Sequence, residues 1–445
     1  MIRSYWKRNL WLFGQRRSGH HKVFVGDVEV VKPDSKTLTL IPQQQFDGMP
    51  NELVQHLRWM AQKHSLQQDI FLCGHPGPLK RRLAMTFANI CGMEVEYVSI
   101  SRDTTESDIK QRKEIVGSSV TFHDQAPVRA AIHGRLLILD GIEYAERNVL
   151  PTLNNLLENR EMALEDGRFL SPQIPELSES TNFVRVHPNF RVIALGQCVP
   201  PYSGRSMDPP FRSRFQSRFI DELTTESILE INGAAAFLTR SKVQQLIEFY
   251  ESLRYIRGSM IREGGSGTMA GLPVFSIDAM THCIELLTKF PDLEVANAVE
   301  RSVPACSWML SSVPARLRPS VATAYDKLQG ASWADKSRAS YILREIVPSP
   351  SIVTDGFAAA VFAPTNTATK GQVVVPVRVG QTTALHADKS SSSNISSNVI
   401  EHQPYAIIST HERVLAEMVM DHACGKHLCL LGPKVREYMC FCVHV

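Results

Sequence analysis

The sequence lacks both a long apolar segment and a strong excess of charge of either sign. Its 445 residues carry a formal net charge of +3, and so mild a balance gives no reason to expect a nucleic-acid partner. No apolar run reaches the roughly 20 residues that a transmembrane helix needs. We therefore expect neither nucleic-acid binding nor a transmembrane segment.

Cysteine is present, but not in a pattern that suggests a scaffold. The chain has 9 cysteines and no C-x-x-C motif, so neither a disulfide framework nor a zinc site is indicated. Core-forming residues are plentiful, because 43% of the chain is hydrophobic and 21% is charged. Such a chain is typical of a globular protein of about two to three domains.

The most informative segment is a loop between a predicted strand and a predicted helix. Residues 70–73 form a short apolar run, and residues 80–90 have apolar side chains at helical spacing. The loop between them follows the phosphate-binding frame GxxxxGK[ST], whose backbone N–H groups and lysine bind the phosphates of a nucleotide. The predicted nucleotide-binding residues are Gly74, His75, Pro76, Gly77, Pro78, Leu79, Lys80 and Arg81.

Two positions of this frame have unusual residues. Leu79 replaces the second glycine, where the loop usually needs close backbone approach or a positive φ. Arg81 replaces the serine or threonine whose hydroxyl binds Mg²⁺. We expect anion binding to survive these changes better than metal-assisted chemistry. Taken alone, the loop is equally compatible with an ordinary Pro/Gly turn before a helix.

A second element of a nucleotide site follows at a suitable distance. Residues 133–140 form an apolar run that predicts a strand ending in Asp140, the type of carboxylate that holds Mg²⁺ beside such a loop. The next position, where a catalytic glutamate normally lies, is Gly141, and the nearest acid is Glu143. Glu143 is a candidate catalytic carboxylate, although we favour the alternative of a solvated acid in the first turn of a helix.

Three further elements lie beyond these acids. Residues 148–159 are predicted to form a helix with leucines on one face. The Asp-Gly pair at 166–167 lies between short apolar runs and predicts a hairpin turn. Residues 189–195 are predicted to form another strand of the core.

Polar residues follow this strand and precede the next one. Gln197 lies at the exit of the strand, where a polar side chain can orient the attacking water. Arg212 and Arg214 come just before a predicted last core strand at residues 218–223.

The order of these motifs resembles that of the AAA+ ATPases of the MoxR branch, which is related to the midasin and dynein modules. The sharpest marks are the hairpin Leu-Glu-Asn-Arg-Glu-x(3)-Glu-Asp-Gly at 157–167 and the sequence Arg-Ser-Arg-Phe at 212–215. Residues 102–112, 146–170 and 190–196 are also similar to the first AAA+ module of a mitochondrial family that carries a von Willebrand factor A domain. The resemblance covers about residues 25–434.

This resemblance implies an α/β fold: a P-loop NTPase core with a parallel sheet, a helical lid and an incomplete second AAA+ module. It also implies ATP and Mg²⁺ as cofactors. By position, Lys80 is similar to the phosphate lysine, Asp140 to the metal-binding aspartate and Gln197 to the sensor residue. Arg214 is similar to the arginine finger, which acts on a neighbouring module and so implies a ring or oligomer of AAA+ modules. An arginine paired with an acid is the alternative for Arg214.

Like the phosphate loop, the lid departs from the family pattern in a way that disfavours hydrolysis of the nucleotide. Ser276-Ile-Asp278 aligns with the family's Ser-x-Arg sensor, and an aspartate there is expected to repel phosphate. With Leu79, Arg81 and Gly141, this change predicts a module that binds nucleotide and hydrolyses it slowly or not at all. Three functions stay open: a subunit or fragment of a mitochondrial ATPase, a non-hydrolysing regulatory module, and a scaffold with a vestigial loop.

The predicted organisation has five parts. They are a presequence at 1–26, the α/β core at 27–225, the helical lid at 226–347, a linker with short strands and a Ser-rich segment at 348–403, and the start of a second module at 404–445. Residues 1–26 contain basic residues and no acid, which predicts mitochondrial targeting, to the matrix or the inner membrane. The sequence after Lys434 does not continue the motif of a second nucleotide loop, so we expect the second module to be truncated.

Overall fold

The structure is a computed structural model. It describes residues 22–33, 37–44, 46, 48–117, 119–147, 149–173, 182–199, 202–233, 238–262, 273–291, 293–303, 313, 315–329, 351–355, 358–362, 372–376 and 424–426. The strands are β1 (Lys22–Val25), β2 (Val28–Val31), β3 (Ile70–Gly74), β4 (Val95–Ser99), β5 (Gln111–Val116), β6 (Ser119–Asp124), β7 (Leu136–Asp140), β8 (Met162–Ala163), β9 (Phe169–Ser171), β10 (Phe183–Arg185), β11 (Arg191–Gln197), β12 (Gln216–Ile220), β13 (Ser351–Asp355), β14 (Ala358–Phe362) and β15 (Gln372–Pro376).

The described α-helices lie between and after these strands. They are α1 (Asn51–Ser65), α2 (Leu79–Cys91), α3 (Glu106–Ile109), α4 (Ala126–His133), α5 (Asn154–Glu158), α6 (Pro209–Ser213), α7 (Thr225–Ile231), α8 (Arg240–Arg262), α9 (Ile277–Lys289), α10 (Val295–Ser302) and α11 (Arg318–Gln329). Short 3₁₀ helices occupy Leu38–Leu40, Ile142–Tyr144 and Leu150–Leu153. None of the helices in this part of the chain is both long and apolar enough to cross a membrane.

The core is a parallel sheet of five strands in the order β12-β3-β11-β7-β4. Its central strands are continuous apolar runs, as expected for parallel strands that are covered on both faces. In β7, for example, the residues from Leu136 to Leu139 are all buried. The sequence-based expectation of an α/β core with a parallel sheet is therefore confirmed.

Alternate side chains of these strands enter two hydrophobic cores, one on each face of the sheet. Leu72 packs in the core that contains α1, α2 and the helices after residue 225, whereas Phe71 packs in the core that contains α4 and the segment around α5. Each fully buried leucine or phenylalanine contributes about 1.5–3 kcal/mol relative to an exposed one. The two cores hold β3 rigidly, and β3 in turn positions the loop that follows it.

The helices after residue 225 form the predicted lid, which packs directly on the core. Helix α9 begins at the N-cap Ser276, whose side chain accepts a hydrogen bond from the backbone N–H of Ala279. Its apolar face, including Met280 and Ile284, belongs to the same hydrophobic core as α2. The lid is thus continuous with the nucleotide-loop side of the sheet.

Several predicted boundaries differ from the structure. The helix predicted at 148–159 is a 3₁₀ helix at Leu150–Leu153 followed by α5, because Pro151 in its first turn limits the regular pattern. His133 ends helix α4, so the strand begins later, at Leu136. Strand β12 begins at Gln216, earlier than expected. The hairpin turn at 166–167 is confirmed, since Gly167 has φ +87° between β8 and β9.

Strand β1 lies inside the segment 1–26 that the sequence analysis predicts to be a presequence. Strand β1 pairs antiparallel with β2, and Val25 is 1% exposed in the core. Residues 22–25 are therefore part of the folded module. Residues 1–21, and all of the predicted second module except residues 424–426, lie outside the described residues. Within the predicted linker, β13, β14 and β15 form an antiparallel sheet.

Candidate nucleotide-binding site

The predicted nucleotide loop joins the carboxyl end of β3 to the start of α2. Strand β3 lies between β11 and β12, so the loop lies in the crevice where parallel α/β sheets bind ligands. The positive φ that the loop requires occurs at Gly77, at +131°. The expected conflict at Leu79 does not arise, because Leu79 is already the first residue of helix α2. A side chain is tolerated at that position since its backbone is helical.

Helix α2 begins with three consecutive cations and has no acid in its first turn. Lys80, Arg81 and Arg82 therefore lie at the positive end of the helix dipole, which is an unfavourable place for basic residues. Three acids from other parts of the chain compensate. Asp140 pairs with Arg81, Asp278 pairs with Arg82, and the charge of Glu143 acts on Lys80.

Lys80 is buried at 6% exposure, and its ammonium donates a hydrogen bond to the backbone oxygen of His75. Burial lowers the pKa of Lys80, and the nearby charges of Glu143 and Asp140 offset only part of that effect. The ammonium group thus lies inside the loop, where its positive charge is placed to bind a phosphate.

His75 forms the wall of the loop that faces β12. Its Nδ1 is 2.6 Å from the hydroxyl of Tyr202, and its Nε2 is 3.2 Å from a carboxylate oxygen of Asp221. Its ring contacts Phe219 edge to face at 5.5 Å. Sequence reasoning did not single out Tyr202 or Asp221, because both lie far from the loop in sequence and have no motif of their own.

An open cleft lies between this loop and the lid. Its lining combines the loop with the end of β12 and the start of α9. Tyr250 and Phe275 provide the apolar part of the lining, and Ser276 approaches Gly77 most closely. A pocket with apolar walls and a few convergent polar groups is the usual form of a small-ligand site.

Asp140, the predicted metal-binding carboxylate, accepts hydrogen bonds from two other side chains. Its Oδ2 accepts a hydrogen bond of 2.7 Å from Nε of Arg81 and another of 2.7 Å from the hydroxyl of Tyr97. The guanidinium of Arg81 also stacks 5.7 Å from the centre of the Tyr97 ring. Burial and the bond to Asp140 raise the pKa of Tyr97 to about 12, so its hydroxyl keeps its proton.

The side chains of Arg81 and Asp140 do not fit a Mg²⁺ site. A P-loop magnesium site needs an oxygen ligand from a serine or threonine, and Arg81 offers only N–H donors there. The acid beside it is neutralised by the same arginine. No cluster of three or more metal-ligating side chains occurs in the described part of the chain. The expected metal role of Asp140 therefore has no support in the geometry.

Glu143 was expected to be solvated, and that expectation is wrong. Its residue exposure is 4%, and its Oε2 has no hydrogen-bond partner among the described residues. Burial raises its pKa, although backbone hydrogen bonds and the charge of Lys80 act in the opposite direction. Gly196 and Gly204 make room for it, since a Cβ on either would lie within 3.1 Å of its side chain. Sequence patterns could not reveal this burial because Glu143 lies in a short 3₁₀ turn.

Gln197 ends β11, in register with Gly74 at the end of β3. Its side-chain amide donates a 3.1 Å hydrogen bond to the hydroxyl of Tyr144, next to Glu143 in sequence. Beside it, the sulfur atoms of Cys73 and Cys198 are 2.9 Å apart. The structure therefore brings Lys80, Asp140, Glu143 and Gln197 to one end of the sheet, as the sequence analysis predicted.

Arg214 is not in this group. It follows α6 and precedes β12, and the start of β12 pairs with the start of β3, so Arg214 lies at the opposite, amino end of the sheet. Its guanidinium donates to Glu158 and to the backbone oxygen of Pro210. This is the ion-paired arrangement that the sequence left open as the alternative, and Arg214 cannot reach the phosphate loop of its own module.

Asp278 lies in the first turn of α9, where the sequence analysis expected it to repel phosphate. Its Oδ1 lies 3.0 Å from Nη1 of Arg82 while its side chain is 55% exposed, so the pair offsets only part of its negative charge. The guanidinium of Arg82 also lies 4.5 Å from the centre of the Phe46 ring. The residue in the sensor position therefore ties the lid to helix α2.

Comparison with known proteins agrees with this geometry. Residues 69–215 match the family model described as the AAA domain of the dynein-related subfamily. The core is an AAA-type P-loop NTPase fold. The chain is 38% identical over 93% of its length to mouse von Willebrand factor A domain-containing protein 8 and covers 21% of that protein. The chain is similar to that relative over the shared region, and nucleotide binding is a family-level property of the matched domain.

More distant relatives share the same region. Midasin from Dictyostelium discoideum is 27% identical over 47% of this chain, which covers 3% of midasin. An uncharacterized protein of Staphylococcus aureus (strain USA300) is 25% identical over 54% of this chain and is covered over 84% of its own length. The chain thus spans about a fifth of the mouse relative and a much smaller share of midasin.

Proposed function

We propose that this chain is an AAA+ module that binds ATP in the loop Gly74–Arg81 and hydrolyses it slowly or not at all. The observation that carries the proposal is the start of α2, where three successive cations lie under the lid with Lys80 buried against its own loop. Asp140, Asp278 and Glu143 offset part of this positive charge, and the N-terminus of a helix with basic side chains favours the binding of a further anion. A triphosphate supplies that anion.

Slow turnover follows from what surrounds the bound phosphates. Phosphoryl transfer in this fold depends on a metal ion, a base beside it and a sensor cation on the lid. Arg81, Gly141 and Asp278 occupy the corresponding positions. Glu143 is the one buried carboxylate near Lys80 that can act on an attacking water. Losing one finger-type contact alone costs about 10³–10⁵ in rate.

We further propose that any remaining hydrolysis requires a neighbouring module. Arg214 lies at the end of the sheet away from its own phosphate loop, so its family role as an arginine finger is possible only in trans. Its bond to Glu158 must then open when modules assemble. The division into a core at 27–225, a lid at 226–347, a linker at 348–403 and the start of a second module at 404–445 belongs to the same proposal.

The test is ATP titration of the full chain, followed by measurement of phosphate release. Lys80→Ala is expected to weaken ATP binding at least tenfold, because the buried ammonium is the group that faces the phosphates. Lys113→Ala is the matched control, since Lys113 is 58% exposed on the β5–β6 hairpin and pairs with Glu165. The control should bind ATP as the unmodified chain does.

The outcomes separate the three functions. ATP binding without turnover supports the proposed module. Steady phosphate release that Lys80→Ala abolishes would instead support an active ATPase of the MoxR type. Absence of both binding and turnover would contradict the proposal and leave a scaffold that acts through protein contacts.

We also propose a mitochondrial location, in the matrix or at the inner membrane. The support is the basic, acid-free composition before Asp27, which is typical of a transit peptide. The full chain with a C-terminal fluorescent label should colocalise with a mitochondrial marker. Replacing Arg3, Arg8, Arg16 and Arg17 by glutamate together should abolish that localisation; a diffuse signal from the unmodified chain would contradict the proposal.

A further inference from the structure

The arginine at the hydroxyl position of the phosphate loop does more than remove a metal ligand. Arg81 places a guanidinium between the loop and Asp140, with Nε bound to Oδ2 at 2.7 Å. Its side chain is 53% exposed, whereas that of Asp140 is 19% exposed. The charged end of Arg81 therefore stands where a metal ion would bridge the loop, the acid and the phosphates in a standard P-loop site.

Two contacts fix this arginine in place. The Tyr97 hydroxyl binds the same oxygen of Asp140 at 2.7 Å, and the Tyr97 ring lies 5.7 Å from the guanidinium carbon. Strands β4 and β7 hold Tyr97 and Asp140 close together, since Tyr97 pairs with Ile138 and Ser99 pairs with Asp140. An arginine that is stacked and hydrogen-bonded in this way has lost much of its side-chain freedom before any ligand arrives.

The chemistry of the group suits phosphate. A guanidinium has five N–H donors in a fixed fork and binds phosphate oxygens in pairs. The described hydrogen bond of Arg81 uses Nε, so its two terminal nitrogens are available to phosphate oxygens. Neutralisation of phosphate charge, normally supplied by the metal ion, is thus available from the protein itself.

We propose that this loop binds its nucleotide as the metal-free polyphosphate anion, with the Arg81 guanidinium in place of the magnesium ion. The inference rests on the proposed nucleotide binding at Lys80. It explains why Asp140 is retained: the carboxylate positions Arg81 rather than a metal. Tyr97 then acts as a second positioning residue for the same guanidinium.

The experiment compares ATP dissociation constants for the full chain in excess EDTA and in excess Mg²⁺, with a fluorescent ATP analogue as the probe. We expect the dissociation constant in EDTA to be equal to or lower than that in Mg²⁺. Binding that is more than threefold tighter with Mg²⁺ would overturn the inference while leaving the proposed function intact. No binding under either condition would overturn both, so the two failures are distinguishable.

Two variants test whether Arg81 itself causes the difference between ATP binding in EDTA and in Mg²⁺. Arg81→Thr restores the hydroxyl of the family frame, so ATP binding should become dependent on Mg²⁺, with at least a tenfold loss in EDTA. Arg112→Thr is the control, because Arg112 is 70% exposed and lies outside the cleft; its binding should match that of the unmodified chain under both conditions. If Arg81→Thr binds equally well with and without Mg²⁺, the arginine is not the metal substitute. The comparison on the unmodified chain decides the inference even if Arg81→Thr fails to fold.

Discussion

Arg82 of the helix after the phosphate loop and Asp278 of the lid form an ion pair of 3.0 Å. The pair joins two elements that sequence places about 200 residues apart, and it connects them on the rim of the cleft. The position that reads the γ-phosphate in the family therefore serves here as a contact between core and lid. This pair is one of the contacts that hold the lid on the core.

The first prediction concerns this pair. Asp278→Asn should lower the free energy of unfolding by less than about 1 kcal/mol, because Asp278 is 55% exposed and solvent screens such pairs. ATP affinity should rise by about two- to threefold, since a negative charge leaves the rim of the site. Urea denaturation and ATP titration measure the two effects, with the exposed Asp103→Asn as the control. A weakened ATP affinity would show that lid closure through this pair matters more than charge.

The second prediction concerns a buried ion pair at the other end of β3. Asp69 is 3% exposed at its side chain; its Oδ2 lies 2.8 Å from Nη2 of Arg160, and its Oδ1 accepts from the N–H of Val192 at 2.9 Å. Arg160→Ala should cost about 3 kcal/mol, because the buried carboxylate loses its ion-pair partner and keeps only the weaker influence of Arg191. The measurement is urea denaturation at pH 7.

A double variant tests the cause of that loss. Arg160→Ala combined with Asp69→Asn removes the unpaired charge, so it should be more stable than Arg160→Ala alone. If the two changes were simply additive, the arginine would be acting through packing on Phe190, whose ring centre lies 5.2 Å from its guanidinium. Recovery of stability in the double variant would support the electrostatic account.

These contacts show which features of the fold could be predicted from the sequence and which could not. The charged hairpin at 157–167 was the sharpest mark of the family, and the structure gives three of its charges partners from other segments: Glu158 with Arg214, Arg160 with Asp69, and Glu165 with Lys113. Apolar periodicity predicted the strand β3 and the helix α2 because both are local patterns. The partners could not be predicted, because they come from distant segments that only the fold brings together.

The residues of the site likewise fall into those that the sequence predicted and those whose contacts only the structure shows. The loop frame located Lys80, and the strand endings located Asp140 and Gln197, since parallel strands bring their carboxyl ends to one edge. Burial of Glu143 was missed because it depends on Gly204, which lies in another loop and approaches the Glu143 side chain closely. Likewise, the frame identified Arg81 as an unusual residue, but its bond to Asp140 needed the three-dimensional arrangement.

The third prediction concerns pH and two histidines of α1. Burial lowers the pKa of His56 to about 4, helped by Arg218, and burial lowers that of His64 to about 4, helped by Arg191. The unfolded chain binds protons at these groups near pH 6.5, whereas the folded chain does so only near pH 4. Stability should therefore fall as pH drops from 6.5 to 4, by about 2 kcal/mol for each histidine.

The measurement is the urea midpoint across this pH range. His64→Leu should flatten the slope by up to about 1.4 kcal/mol per pH unit, the value for one proton. His123→Gln is the control, because His123 is 56% exposed on the β5–β6 hairpin. An unchanged slope in His64→Leu would mean that other groups control the acid sensitivity.

The fourth prediction concerns Glu143, whose pKa is raised by burial. A folded acid with a raised pKa holds its proton longer than the unfolded chain does, so the stability of the fold falls as pH rises above about 4.5. Glu143→Gln removes this loss and should stabilise the chain by about 0.5–2 kcal/mol at pH 7.5, with no gain below pH 4.5. Any phosphate release should also fall, because the amide cannot accept a proton from water. A gain that persists at pH 4 would contradict the electrostatic explanation.

The fifth prediction concerns the cysteine pair beside the loop. A hydrogen bond from Cys73 lowers the pKa of Cys198 to about 7, and the charge of Lys80 acts in the same direction. Burial raises the pKa of Cys91 and of Cys283 to about 12. Because the thiolate is the reactive form, Cys198 should be alkylated by N-ethylmaleimide at pH 7 at least about tenfold faster than either buried cysteine.

Peptide mass spectrometry over time measures these alkylation rates directly. Bound ATP should slow the reaction of Cys198, because the nucleotide covers the end of β11 and draws Lys80 away from the sulfur. Cys73→Ala should also slow it, since the change removes the S–H donor that stabilises the Cys198 thiolate. If Cys91 reacts as fast as Cys198, exposure through opening of the fold, and not the local charge, would set the reactivity of both thiols.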